Sequence, residues 1–136
     1  MSFAELPTWM LSQAHHRAHD ILADRLAAAG ARGYEYRVLD ALAQSAPLSQ
    51  VAIGSFARLD RRDVAVTLAA LEEQDLITRS SDPDDARRNV VDLTPDGRAR
   101  HAALAEIALG AQDEFLAPLD STARELFVAA LARLGA

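Results

Sequence analysis

The chain has 136 residues, half of them hydrophobic and only 5% aromatic, which fits one compact helical domain with or without an added dimerisation layer. It has no cysteine, so disulfides, cysteine-ligated zinc and thiol oxidation sensing are excluded within the chain. No apolar run approaches the ~18 residues of a membrane span, and no secretory pattern opens the chain, so we expect a cytoplasmic protein that does not bind membranes.

The first third of the chain predicts two helices. Thr8 is a candidate N-cap for a long helix that ends near Ala29, just before Gly30. Its apolar stripe at helical spacing comprises Leu11, Ala14, His15, Ala18, Leu22 and Leu26. A second helix is predicted over residues 34–46. Its apolar side comprises Tyr36, Leu39, Leu42 and Ala43.

The middle of the chain predicts two short helices joined by a tight turn. Ser49 is a good N-cap for the first, whose predicted buried positions are Val51, Ile53 and Phe56. Gly54 lies inside it, where a missing side chain lets another helix approach closely. Asp60 caps the second, and its predicted buried positions are Val64, Leu68 and Leu71. The pair is typical of a helix-turn-helix.

Two strand-like runs follow, at residues 76–79 and 89–93, and both are rich in β-branched residues. The charged segment between them, residues 80–88, cannot bury itself and must project. Thr94 and Pro95 then provide an N-cap and a first helical position. A helix-turn-helix followed by a β-hairpin is a winged helix.

The rest of the chain predicts a helix from Pro95 to about Ala117 and a last helix capped by Asp120. The terminal helices are together more apolar than one small winged-helix domain can bury. We therefore expect a C2 homodimer built from the first, fifth and sixth helices.

The order and spacing of these elements resemble the MarR family of bacterial transcriptional regulators over essentially the whole chain. The most specific match is residues 82–97, which resemble the family's wing signature: Asp-x-Arg, an apolar strand, then Leu-Thr-Pro. Residues 71–77 resemble the end of the family's recognition helix. Asp75 stands there where glycine is usual, and Arg58 stands in the turn where the family often has glycine.

The resemblance implies a mainly α (α+β) fold: a winged helix-turn-helix with a two-stranded β wing and N- and C-terminal dimerisation helices. We expect a dimerisation helix over residues 1–32, a DNA-binding lobe over 33–97 and dimerisation helices over 98–136, all in one structural domain. The resemblance also implies that Asp85 holds the wing together by pairing with an arginine.

Candidate DNA contacts lie in the helix-turn-helix and the wing. The net charge of −6 opposes DNA binding, but the basic residues, all of them Arg, cluster locally. Arginine pairs with guanine, and Val or Thr contacts a thymine methyl, whereas Asp63 has either a capping role or an acceptor role toward cytosine. The alternative to DNA contact is that the helix and the loop are merely solvated surface segments. The predicted contacts are Ser49, Arg58, Arg61, Arg62, Asp63, Ala65, Val66, Thr67, Arg87 and Arg88.

A second set of candidates concerns small ligands. The resemblance implies a small aromatic or carboxylate effector between the dimerisation helices and the DNA-binding lobe, for which His15, Tyr36 and Arg37 are candidates. His15 and His19 also have the spacing of two metal ligands on one helix face, with His101 or a carboxylate as a third ligand; packing is the commoner use of such histidines.

The sequence therefore predicts a sequence-specific transcriptional regulator, a ligand-responsive repressor that binds a pseudo-palindromic operator as a homodimer. Two alternatives stay open. One is a winged-helix module that binds protein, favoured by the acidic charge, and the other is a metal-responsive regulator that uses His15 and His19. No nucleophile, base and orienting group form a readable set, so we expect no enzyme and no cofactor.

Overall fold

A computed structural model describes residues 1–135 as six α-helices and one two-stranded sheet. A short 3-10 helix at Phe3–Glu5 precedes them. The elements are α1 (Pro7–Ala28), α2 (Glu35–Ser45), α3 (Gln50–Ala57), α4 (Arg61–Glu73), β1 (Ile77–Ser81), β2 (Asn89–Leu93), α5 (Pro95–Leu116) and α6 (Ser121–Leu134). The predicted fold class is confirmed. Within residues 1–135, no helix has both the length and the hydrophobicity to cross a membrane.

The chain forms two compact units. The first comprises the residues up to Arg25 together with those from Ile107 onwards, and the second comprises Leu26–Glu106. The boundaries between the units lie inside α1 and α5.

The second unit holds the winged helix and most of the buried core. Its fully buried large side chains include Leu39 and Leu42 of α2, Ile53 of α3, and Leu68 and Leu71 of α4. The wing strands pair antiparallel from Ile77↔Leu93 to Ser81↔Asn89, so the first strand starts one residue later than predicted and ends two residues later. The segment before α3 also joins the sheet edge, since Leu48 and Val91 exchange backbone hydrogen bonds of 3.0 and 2.7 Å.

Two of the predicted buried positions in α3 are wrong. Val51 is 77% exposed and Phe56 is 60% exposed. The inward line of this short helix runs through Ile53 and Ala57, which are one turn apart and both buried. Positions 51 and 56 lie off that line, so their side chains face away from the core.

The boundaries of α1 also differ from the prediction. The helix begins at Pro7, so Thr8 lies inside it and is not the N-cap. Proline suits the first helical position because its missing N–H has no partner there. The predicted stop is confirmed: Gly30 takes a φ of +81°, and its N–H donates to the carbonyl of Ala27 at 2.9 Å.

The first unit exposes much of its apolar surface. Within the described residues of α1 and α6, no side chain is buried. Asp120 caps α6 as predicted, accepting from the Ala123 N–H at 2.8 Å. The exposed large apolar side chains of this unit include Phe3, Met10, Leu11, Leu126, Val128 and Leu134.

Candidate nucleic-acid interface

The first turn of α4 presents two adjacent arginines to solvent. Asp60 starts the helix in extended backbone, and its side chain accepts from the Asp63 N–H at 2.8 Å. This cap fixes the helix start, so Arg61 and Arg62 occupy the first two helical positions, where both are exposed. Asp63 is half-buried in the same turn. A guanidinium pair at the tip of an exposed helix is suited to phosphate or guanine.

Further along α4, the buried and exposed sides separate cleanly. Ala65 is exposed, and Val66 is 63% exposed. Thr67 was predicted as a DNA contact, but only 6% of it is exposed. It lies on the inward line of α4 with Val64, Leu68 and Leu71, so we withdraw it from the contact set.

The turn between α3 and α4 is held by a side chain from α2. Arg58 adopts the left-handed region with φ +55°, a conformation that glycine adopts most readily. Arg37 donates through Nε to the Ala57 carbonyl at 3.0 Å and through Nη2 to the Arg58 carbonyl at 2.8 Å. Its guanidinium also lies 5.2 Å from the centre of the Tyr34 ring. The α3 carbonyls at this end are thus satisfied by a charged donor.

Close packing supports the same turn. A Cβ on Gly54 would lie 3.1 Å from the Leu59 carbonyl oxygen, which explains the small residue in α3. At the start of α3, the Ser49 hydroxyl accepts from the Ala52 N–H at 3.2 Å, as predicted for an N-cap. Ser49 is half-buried, whereas Arg58 is exposed.

The far end of α4 has a second left-handed residue, Asp75, with φ +58°. Its carbonyl accepts from the hydroxyl of Thr94 at 2.7 Å, and the same hydroxyl caps α5 by accepting from the Gly97 N–H at 3.0 Å. One side chain therefore joins the end of α4 to the start of α5. A Cβ on Gly97 would lie 2.0 Å from the Leu76 carbonyl oxygen, so no side chain fits there.

The tip of the wing is a hydrogen-bonded charged turn. Asp85 accepts from the Arg87 backbone N–H at 3.0 Å and pairs with the Arg87 Nε at 3.1 Å. These two bonds to Arg87, the side-chain bond first, lower the pKa of the Asp85 carboxyl below its ordinary value. The side chain of Arg87 is nevertheless 91% exposed. Arg88 is exposed too, with its Nε 3.9 Å from Asp82.

The three candidate effector residues have different surroundings. In the first unit, His15 lines an apolar cavity of about 280 Å³ together with side chains of α1, α5 and α6. In the second unit, the Tyr36 ring stacks on His101 with centroids 5.9 Å apart. Burial, and then the nearby Asp40, raises the pKa of Tyr36. Arg37 is already engaged in the turn after α3.

A metal site finds no support in the described residues. Among residues 1–135, no group of three or more His, Cys, Asp or Glu side chains is placed to hold a metal ion. The rings of His15 and His19 are 6.2 Å apart. His101, the candidate third ligand, instead places its Nε2 2.8 Å from an oxygen of Asp40.

Two long-range contacts that involve candidate site residues were not predicted from the sequence. One is the bond of Arg37 to the turn, and the other is the His101–Asp40 pair. Both contacts join residues far apart in the chain, so no local spacing in the sequence predicts them. From the sequence, Arg37 is a candidate only for binding a carboxylate effector.

Known proteins match the chain at both the sequence and structure levels. The MarR family model matches residues 34–88. The transcriptional regulator HosA of Escherichia coli O111:H- is 35% identical over 94 residues, which are 69% of this chain and 70% of HosA. A probable transcriptional regulator from Pseudomonas aeruginosa is 29% identical, with a TM-score of 0.85 over 98% of this chain and 99% of its own.

A further solved structure is that of BpsR from Bordetella bronchiseptica, a protein whose DNA binding is regulated by 6-hydroxynicotinic acid. It is 25% identical, with a TM-score of 0.87 over 99% of this chain and 96% of its own. HosA and the Pseudomonas aeruginosa protein are described as transcriptional regulators. The sequence match, the winged helix and the exposed arginines of α4 agree, and the chain belongs to the MarR family of DNA-binding transcriptional regulators.

Proposed function

We propose that the protein is a homodimeric repressor that binds a pseudo-palindromic operator in double-stranded DNA and releases it when a small effector binds. The observation that carries the proposal is the placement of Arg61 and Arg62 in the exposed first turn of α4, with Arg87 and Arg88 exposed on the wing of the same compact unit. The overall charge of −6 is compatible with this, because phosphate neutralisation is local.

In this proposal α4 enters the major groove with its first turns, and the wing lies along the neighbouring minor groove. Arg62 pairs with guanine or phosphate, and Arg87 and Arg88 neutralise phosphates. Glu72 and Glu73 end the helix with negative charge, which favours docking by the opposite end. The remaining contacts are Ser49, Arg58, Arg61, Asp63, Ala65 and Val66.

A second copy of the chain covers the apolar surface of the first unit. Its exposed side chains are those expected of a helix–helix interface, and a two-fold dimer places two recognition helices on half-sites about one helical turn apart. Leu126, which is 67% exposed in α6, is a suitable probe. Leu126→Glu should shift the protein from dimer toward monomer in sedimentation, whereas Phe56→Glu, in the other unit, should leave it dimeric. A parent protein that sediments as a monomer would contradict the proposal.

The proposed effector is a small aromatic or carboxylate compound, in line with the 6-hydroxynicotinic acid that regulates BpsR. His15, in the cavity of the first unit, and Tyr36, in the second unit, are alternative candidate contacts. Arg37 donates to the carbonyls of Ala57 and Arg58 and reaches an effector only if it leaves them. An effector acts through its differential affinity for the DNA-bound and free forms. The experiment is a titration of the protein–operator complex with 6-hydroxynicotinic acid and other aromatic acids. Release of DNA that weakens in His15→Ala is expected, and no release by any of them would contradict this part.

The central test is DNA binding by gel shift on the promoter next to the protein's own gene. Arg62→Ala and Arg87→Ala should each reduce affinity by about tenfold or more, since a dimer loses two contacts of roughly 1–3 kcal/mol. Arg87→Ala should also flatten the dependence of log K on log[salt] by about 2. Arg32→Ala removes an exposed charge elsewhere in the same unit and should change neither quantity. Unchanged affinity in both site variants would refute the site assignment, and salt-independent binding would favour a protein-binding module.

A further inference from the structure

The exposed face of α4 has an unusual chemistry. The side of the helix opposite its buried line carries, at helical spacing, Arg62, Ala65, Val66, Ala69 and Glu73, and all five residues are exposed. The charges stand at the two ends of this face. Its middle consists of alanines and one valine. A shallow depression runs from Val66 and Ala69 to the glutamates at the end of the helix.

The middle of the face offers no hydrogen bond from a side chain. Between Val64 and Leu71 the only side chain with a polar group is Thr67, and it is 6% exposed. The second and third turns of α4 therefore present only methyl groups outward. In the major groove, every base edge offers polar donors or acceptors, and thymine alone adds an apolar group, its 5-methyl. A face of methyl groups is complementary to that feature.

We propose that α4 specifies thymine at the centre of each operator half-site through the 5-methyl group, with Val66 as the main contact and Ala65 and Ala69 completing the apolar surface. This inference rests on the proposed DNA-binding function and adds the base class that the helix selects. Arg62, one turn before Val66, then lies toward the neighbouring base pair or phosphate on the N-terminal side. The acids at the other end, Glu72 and Glu73, keep the last turn of α4 away from the phosphates.

The test removes the methyl groups without changing the hydrogen-bonding pattern. The operator is first defined by selection from random duplex DNA. Each thymidine of the half-sites is then replaced by deoxyuridine, whose base lacks only the 5-methyl group of thymine. Burial of one methyl group predicts a loss of about fourfold in affinity per half-site, or about fifteenfold when both half-sites are changed. Deoxyuridine placed outside the half-sites should have no effect.

Protein variants assign the effect to this face. Val66→Ala should reduce the ratio of thymine to deoxyuridine affinity toward one, and it should fold normally because the side chain is 63% exposed. Val51→Ala, the same change at an exposed valine of α3, should leave that ratio at the parent value. Two results would overturn the inference: equal affinity for the thymine and deoxyuridine operators, or a ratio unaffected by Val66→Ala. In either case, salt-dependent binding that requires Arg62 would leave the proposed function standing, whereas failure to select any DNA would reject that function itself.

Discussion

The bond between Arg37 and the turn after α3 provides the sharpest test of how the recognition helix is held. Arg37→Met keeps the length of the aliphatic side chain but removes the guanidinium. The Ala57 and Arg58 carbonyls then lose a charged donor, and the cation–π contact with Tyr34 is lost as well. Ala57 is buried, so its carbonyl has poor access to replacement water, whereas Arg58 is exposed.

The magnitude follows from these surroundings. A hydrogen bond to a charged group contributes roughly 1.5–3 kcal/mol, and leaving a buried acceptor unsatisfied costs about 1–3 kcal/mol. The bond to Arg58 is discounted because water replaces it at an exposed carbonyl. We expect Arg37→Met to lower the free energy of unfolding by roughly 2 kcal/mol. The left-handed backbone of Arg58, which itself costs about 1 kcal/mol or more, then loses part of its support.

The assay is urea unfolding followed by circular dichroism, at one protomer concentration for all variants because dimerisation contributes to stability. DNA affinity is measured alongside, under conditions where every variant is folded. Arg37→Met should weaken DNA binding even when fully folded, because a relaxed turn changes the angle between α3 and α4. Arg37→Lys keeps the charge but lacks the planar guanidinium. It should recover only part of the free energy of unfolding and part of the DNA affinity. Arg32→Met serves as the matched control. An unfolding free energy for Arg37→Met within about 0.5 kcal/mol of the parent would refute the reasoning, since surface changes away from specific contacts fall in that range.

Two further predictions concern the end of α4 and the wing. Gly97→Ala should destabilise the protein severely, by about 3 kcal/mol or more, because its Cβ would overlap the Leu76 carbonyl at 2.0 Å; Gly110→Ala, whose Cβ meets only a flexible guanidinium at 3.1 Å, should be neutral or stabilising by up to about 1 kcal/mol in thermal unfolding. Equal effects in the two variants would contradict this. In an NMR titration, the Asp85 carboxyl should have its midpoint below the ordinary 3.8, and Arg87→Ala should raise that midpoint. Because folding lowers the pKa of Asp85, the Asp85–Arg87 pair stabilises the wing at neutral pH. This contribution is lost as the pH falls through the pKa of Asp85 in the folded protein. A midpoint unmoved by Arg87→Ala would show that the pair does not form in solution.

Much of this architecture could be predicted from the sequence because local rules determine it. The caps at Ser49, Asp60 and Asp120 act within three residues, so their helix starts could be predicted directly. Burial in α3 could not be predicted the same way. Apolar character alone favoured Val51 and Phe56, whereas the direction of the eight-residue helix is set by its packing neighbours.

The opposite discrepancy occurs at a polar residue, which is buried although the sequence gives no sign of it. Only 5% of Glu35 is exposed, and one of its carboxylate oxygens accepts from the Gln74 side chain at 3.3 Å. The sequence placed Tyr36 on the apolar side of α2 and gave no reason to bury the glutamate. Its burial depends on the end of α4, which lies 39 residues away in the chain. Contacts of this kind follow from the assembled fold and not from spacing.

The two left-handed residues that flank α4 explain how the recognition helix keeps a defined orientation without glycine at either end. Arg58 and Asp75 each adopt a conformation that costs roughly 1–3 kcal/mol, so each turn needs a partner outside itself. Arg37 supplies it from α2 at the first turn, and Thr94 supplies it from the start of α5 at the second. Because both partners belong to neighbouring helices, a movement of α2 or α5 acts directly on one end of α4. A change at either helix can therefore alter the angle of the exposed face of α4 without any contact to DNA. An effector-responsive regulator requires coupling of this kind.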